Sequence, residues 1–283
     1  MNQAIQTMLA KYKCNDLYQY ENALKEIIQE ITLLGLWRAK FFEKAAFYGG
    51  SALRILYGQH RFSEDLDFSL LKKDASFSLR SFEKDIVNEL RAYEFEVDIS
   101  SKQKDINRKV ESAFIKANTL IHLIKINVHL KTHKDANLKV KLEIDTDPPS
   151  FFSVESKQHF QPIPFSIKSY TLPCLFAGKL HALLCRERIK NIKGRDWYDF
   201  LWYISRDVPV DLTHLKERMV QSGHWRKDES FTLTKLKQLV IQKVNTVDLN
   251  LAKEDVINFI ENPSDLDAWS QELFISAAER LKG

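Results

Sequence analysis

The sequence predicts an α+β protein in two parts, a mixed sheet with interleaved helices followed by a helical C-terminal domain. Three observations carry this: apolar residues at helical spacing before residue 40 and again after Pro173, apolar-polar alternation in the segments between, and a break rich in proline. Five of the seven prolines fall between Asp147 and Pro173, where no helix can run uninterrupted. The expected parts are residues 1–160 and 161–283.

Taken in order, Leu17, Tyr20, Leu24, Ile27, Ile28, Ile31 and Leu34 form one helical face between Asn15 and Trp37, with Asn15 or Asp16 able to cap its start. Between Ala45 and Leu70 the texture becomes strand, glycine turn, short helix, turn and strand. Ser78 to Tyr93 reads as a helix, Glu94 to Ile99 as a strand, and Leu138 to Thr146 as another strand, stopped by Asp147-Pro148-Pro149. Helices are expected over Leu175–Ile189 and Asp196–Ile204, then near Leu212–Val220, Thr232–Val244, Leu251–Ile260 and Asp267–Leu281.

Composition narrows the class. At 283 residues the chain can build one large or two ordinary domains, and 44% hydrophobic with 28% charged residues suits a soluble globular protein. No window is apolar enough to span a bilayer and the N-terminus lacks a secretory signal, so a cytoplasmic protein without membrane partners is expected. Cys14, Cys174 and Cys185 are odd in number and widely spaced, and read as reduced thiols. A net charge of +4 would help an encounter with nucleic acid without requiring one.

Chemistry concentrates around two segments. Gly49-Gly50-Ser51 follows an apolar run and opens a helical one, a turn whose free amides and dipole could receive a phosphate, with Ser51 adding a hydroxyl. Taken alone it is more often only a turn. In Arg61-Phe62-Ser63-Glu64-Asp65-Leu66-Asp67-Phe68, strand alternation sends Asp65 and Asp67 to one face and Leu66 and Phe68 to the other. Paired carboxylates repel unless a cation sits between them, and Mg2+ takes such oxygens while keeping positions open for NTP phosphates. The plain alternative is a solvated strand edge. Glu143 and Asp145 share a face of the strand around Leu142, and either could supply a third carboxylate, Glu143 fitting better between Leu142 and Ile144.

These segments resemble a known pattern. Gly49-Gly50-Ser51, Asp65-Leu66-Asp67 and Leu142-Glu143-Ile144 look like the signatures of the DNA polymerase β-like nucleotidyltransferase superfamily. Phe47 to Arg54, Arg61 to Phe68, Asp145 to Pro149, Leu175 to Leu184 and Lys193 to Phe200 are similar to the AbiEii/AbiGii-type toxins, from about Phe47 to Ile204. The resemblance implies a nucleotidyltransferase fold with a helical C-terminal part, an NTP substrate, Mg2+ with Mn2+ able to stand in, and a place in a toxin-antitoxin or abortive-infection system with an antitoxin partner. It further implies transfer of a nucleotide to the 3′ end of tRNA. By analogy Asp65 and Asp67 hold metal, with Glu143 as the third ligand. Gly49, Gly50, Ser51, Arg61 and Lys179 bind nucleotide, and Lys179 with Asp196 forms the essential pair of the helical part. On the residues alone, Lys179 suits a triphosphate or is an exposed helix lysine, and Asp196 orients Lys179, accepts a proton, or caps a helix.

Arg186, Arg188, Lys190, Lys193 and Arg195, with Trp197 and Tyr198 beside them, form a basic run suited to RNA or to a solvated surface. Arg54 and Arg61 could meet phosphate or neutralise Glu64, and His129 and His133 read as exposed histidines rather than metal ligands. Two rival functions remain open: the same chemistry on a protein or small molecule, and a catalytically silent nucleotide- or RNA-binding module.

Overall fold

The computed structural model describes residues 3–102, 119–127, 137–186 and 192–283, and the chain divides into two compact units. The first comprises Met1–Gly58, Phe62–Pro148 and Val154–Ser169. It opens with α1 (Gln3–Leu9) and α2 (Leu17–Arg38), where the Asp16 carboxylate accepts the Gln19 amide at 2.7 Å and caps the helix. Leu24, Ile27, Ile28, Ile31 and Leu34, members of the expected apolar face, are all buried.

The unit continues through β1 (Ala45–Tyr48), α3 (Gly49–Tyr57), β2 (Asp65–Leu70), α4 (Arg80–Ala92), β3 (Glu96–Lys102), β4 (Thr119–Asn127), β5 (Asn137–Asp145), β6 (Val154–His159) and β7 (Phe165–Tyr170). Among the described residues these strands form one seven-stranded sheet in the order β3-β4-β5-β2-β1-β7-β6. It is mixed: β1 runs antiparallel to β2 and parallel to β7, while β2 runs parallel to β5. Phe41, Phe47, Phe68 and Phe82 pack under the sheet centre, with ring centroids 4.9 Å apart for Phe41–Phe68 and 5.3 Å for Phe47–Phe68. Each such burial contributes about 1.5–3 kcal/mol. This core fixes which way β2 faces, and therefore where its acidic residues point.

Two strands occupy the proline-rich stretch that the sequence marks as a break. In β7, Phe165 and Ile167 alternate inward, but the next inward position is Ser169, whose hydroxyl donates to the Phe47 carbonyl at 3.0 Å. Strand β6 lies at the sheet edge and buries no residue, so it lacks an apolar alternation to read.

The second unit comprises Gln59–Arg61, Pro149–Ser153 and Tyr170–Gly283. It contains α5 (Leu172–Cys185), α6 (Gly194–Ser205), α7 (Leu212–Gln221), α8 (Leu233–Val244), α9 (Leu249–Val256) and α10 (Gln271–Glu279). Asp211, Thr232, Asp248 and Ser270 cap four of these with side-chain oxygens. Helix α5 starts at Leu172 with Pro173 in its first turn, where a missing N–H costs nothing, and it ends at Cys185, short of the expected Ile189: Arg186 is extended, and residues 187–189 lie outside the described residues. Phe176, Phe200, Tyr203 and Phe274 form the core, Phe176 stacking on Tyr203 at 4.3 Å. Helices α6 and α9 meet at Gly194, where an added Cβ would lie 1.7 Å from the Ala252 carbonyl oxygen. No described helix is long and apolar enough to cross a membrane.

Candidate active site

The acidic strand and the glycine turn meet in the first unit. At the end of β1 the chain enters α3 through Gly49 at φ +82°, a left-handed conformation that suits glycine. Tyr48 pairs with Asp67 across the antiparallel register. An added Cβ at Gly49 would stand 2.3 Å from Asp67 Oδ2, so the Asp67 carboxylate occupies the space a side chain would need. Helix α3 has no side-chain cap, which leaves its first amides without that competitor for an anion.

Leu66 and Phe68 are fully buried while Asp65 and Asp67 are half-buried on the opposite face, as strand alternation requires. The parallel register sets Asp65 beside Lys141 and Asp67 beside Glu143. Lys141 makes an ion pair with Glu143. Burial alone would lower the Lys141 pKa. The bond to Glu143 and the charges of Glu143, Asp65 and Asp67 outweigh it and hold the ammonium above its ordinary value. Three carboxylates thus act on one cation, so the oxygen donors fit a hard divalent ion. Asp145 pairs instead with Ser69 near the strand end, and its Oδ1 accepts the Asp147 amide at 3.0 Å.

Ser51 differs from its expected setting. It is fully buried and its hydroxyl donates to the Asp65 carbonyl, joining α3 to the first residue of β2 rather than presenting a donor to phosphate. Arg54 pairs with Glu26 at 2.9 Å and lies over the Phe62 ring, while Glu64 pairs with Lys25 at 3.4 Å.

A second charged cluster forms within the helical unit. Lys179 on α5 places Nζ 2.7 Å from Asp196 Oδ1 and 2.8 Å from Asp199 Oδ2, both on α6. It is therefore no exposed helix lysine. Asp196 lies inside the first turn of α6 and its N–H bonds to the Lys193 carbonyl, so capping is not its role. Its second oxygen accepts Arg186 Nη1 at 2.8 Å.

Asp199 is fully buried and gripped on both oxygens by Arg61, Nε to Oδ1 at 2.5 Å and Nη2 to Oδ2 at 2.6 Å, with Gln59 Nε2 at 3.1 Å. Burial would raise the Asp199 pKa, but Arg61 and Lys179 outweigh it and hold the carboxyl below the usual range. Arg61, expected at the nucleotide, instead directs its guanidinium onto Asp199. The signal for Asp199 was its position three residues after Asp196, on the same helical face.

The basic run is largely neutralised where it is described. Arg186 pairs with Asp196; Lys193 and Arg195 approach Asp255 at 3.5 and 3.8 Å, and Arg195 lies over Phe259. Trp197 is buried against Phe274, which closes its ring to base stacking, while the half-buried Tyr198 donates its hydroxyl to Asp265 at 3.0 Å. Arg188, Lys190, His129 and His133 lie outside the described residues.

Compared with known families, residues 31–272 match the nucleotidyl transferase AbiEii toxin of type IV toxin-antitoxin systems. Among solved structures, the chain is similar to a proposed nucleotidyltransferase from H. pylori at 17% identity and TM-score 0.48, covering 90% of this chain and 92% of that one. JHP933 from Helicobacter pylori matches at 18% identity and TM-score 0.47, covering 92% and 88%. No curated protein matches.

Proposed function

As the chain belongs to the AbiEii family of nucleotidyl transferase toxins, we propose that it moves a nucleoside monophosphate from an NTP to the 3′ end of tRNA in the cytoplasm, using Mg2+ held by Asp65, Asp67 and Glu143. Nucleotidyl transfer from an NTP and membership of a type IV toxin-antitoxin system, with its antitoxin, come with the family. The acceptor, the metal and the residue roles are the proposal.

The carrying observation is the Asp67 carboxylate seated in the space of an absent Gly49 side chain. That contact joins the acidic pair to the turn whose amides would receive phosphate. Glu143 suits the third position because it lies beside Asp67 in register and already shares the Lys141 cation with Asp65 and Asp67. A bound hard divalent cation supplies charge neutralisation at the triphosphate and holds its oxygens for in-line attack.

The chain's own residues do the rest. Gly49 and Gly50 let phosphate approach the start of α3 without a side chain in the way. Lys179 offers a cation fixed by two carboxylates, which loses little side-chain freedom on meeting a phosphate. Asp196 orients Lys179 through one oxygen and holds Arg186 with the other, and it can accept the proton of the attacking hydroxyl. Ser51 supports the turn through the Asp65 carbonyl, and Arg61 fixes Asp199, which holds Lys179.

Incubating purified protein with Mg2+, total tRNA and each α-labelled NTP in turn tests the reading. Label is expected on tRNA and absent with Asp67→Ala; no transfer from any of the four nucleotides, or undiminished transfer in the variant, counts against it. The acid pairing of Arg186, Lys193 and Arg195 favours one second reading, transfer to a protein or small molecule, which label on those products would select.

A further inference from the structure

We propose that His181, Cys185 and His224 form a second metal site in the helical unit, of a different chemical class from the carboxylates, taking a borderline-soft divalent ion such as Zn2+. His181 and Cys185 lie one turn apart on α5 and so share a face. His224 follows α7, where Gly223 at φ +77° reverses the chain and the His224 amide bonds to the Met219 carbonyl at 2.8 Å. One donor atom from each of the three side chains lies within 4.8 Å of the other two.

The two imidazoles already converge. Ser222 Oγ stands 2.9 Å from His181 Nε2 and 2.9 Å from His224 Nδ1, so a single hydroxyl is shared by two ring nitrogens. Tetrahedral zinc bonds of about 2.0–2.1 Å to nitrogen and 2.3 Å to sulfur set donor atoms roughly 3.3–3.6 Å apart, a closure of at most about 1.5 Å from the 4.8 Å outer limit. His224 is half-buried on a turn, which gives it room for such an adjustment.

The donor set suits this ion and not magnesium. Two imidazoles and a thiolate are the ligands of zinc-type ions, whereas Mg2+ takes oxygen. Burial first, and then Arg218, keep His181 neutral, the form with a lone pair to give. Burial pushes the Cys185 thiol up to about 12 despite the charges of Lys243 and Arg218, so the bound ion itself must drive its deprotonation. On binding, the Cys185 S–H proton leaves to solvent and the sulfur pair forms the metal bond. Three protein donors leave a fourth position, which Arg218 biases toward an anion or hydroxide. The ion would clamp the C-terminal end of α5 to the turn after α7, next to Arg186, which holds Asp196.

Cobalt titration of the chelator-stripped full chain decides it. Expected are tetrahedral d–d bands and a thiolate-to-cobalt charge-transfer band, saturating at a single equivalent and displaced by Zn2+. The charge-transfer band should vanish in Cys185→Ser and require roughly tenfold more cobalt in His224→Asn. It should persist in a Cys14→Ser, Cys174→Ser double variant and in Asp65→Asn, Asp67→Asn, which separates this site from the carboxylates. No charge-transfer band in folded wild type, or a band surviving Cys185→Ser, overturns the assignment. If Cys185→Ser does not fold, His224→Asn carries the test, and unchanged affinity there overturns it equally.

Discussion

Replacing Gly49 with alanine tests the joint between the acidic strand and the glycine turn proposed to receive phosphate. The new Cβ would start 2.3 Å from Asp67 Oδ2 and 3.0 Å from both Asp67 Cβ and Cγ. Reaching an ordinary contact of about 3.2–3.4 Å needs the carboxylate to move by roughly 1 Å, because β2 is held on both sides by β1 and β5 and cannot yield as a whole. The φ of +82° adds about 1–2 kcal/mol for a residue with a Cβ, or roughly 2–8 °C in melting temperature. A 1 Å displacement of a reacting group lowers rate by about 100-fold. The expected variant is therefore folded, modestly destabilised, and about 100-fold slower in labelled NMP transfer, with Mn2+ affinity measured by calorimetry also reduced. Wild-type transfer and wild-type metal affinity in a folded Gly49→Ala protein would falsify the placement of Asp67 as a ligand beside this turn.

Three further outcomes follow from the geometry. Glu143→Gln should weaken divalent metal binding while Asp145→Asn leaves it near wild type, since Asp145 turns to the Asp147 amide; calorimetry on both variants compares them directly. Asp199→Asn should cost about 3–5 kcal/mol in urea unfolding, because Arg61 would be left charged and buried. The wild-type Asp199 carboxyl titrates below its unfolded value, so its stabilisation is complete above about pH 4 and is lost as pH falls through the lower folded value; the gap between wild type and Asp199→Asn should close in that acid window, and a gap constant with pH refutes the pairing. Gly194→Ala should destabilise the helical unit at neutral pH, since α6 must move away from the Ala252 carbonyl; an unchanged melting temperature would contradict that close crossing.

Much of the fold is legible because local patterns carried it. The apolar face of α2, its cap at Asp16 and the alternation of β2 are all properties of neighbouring residues. The acidic face and the glycine turn were readable for the same reason, and the family assignment followed from their order along the chain. What stayed hidden depends on distance. Arg61 and Asp199 are 138 residues apart, and nothing around Arg61 distinguishes an arginine facing phosphate from one closing on a buried carboxylate. Lys141 reads as one lysine in an alternating strand until register brings Asp65 and Asp67 alongside it. The hydroxyl of Ser51 finds its acceptor only when β2 folds against α3.

The strand order also has a consequence for synthesis. β1, which carries the chain into the Gly49-Gly50 turn, has β7 as its second neighbour, and β7 ends at Tyr170. At about 5–20 residues per second, the roughly one hundred residues between Asp67 and Tyr170 take on the order of 5–20 s to translate. Throughout that interval β1 lacks the strand that covers its second edge, and Lys179 and Asp196 have yet to be made. The sheet therefore closes on β1 only after more than half of the chain has been made, a delay written into the topology.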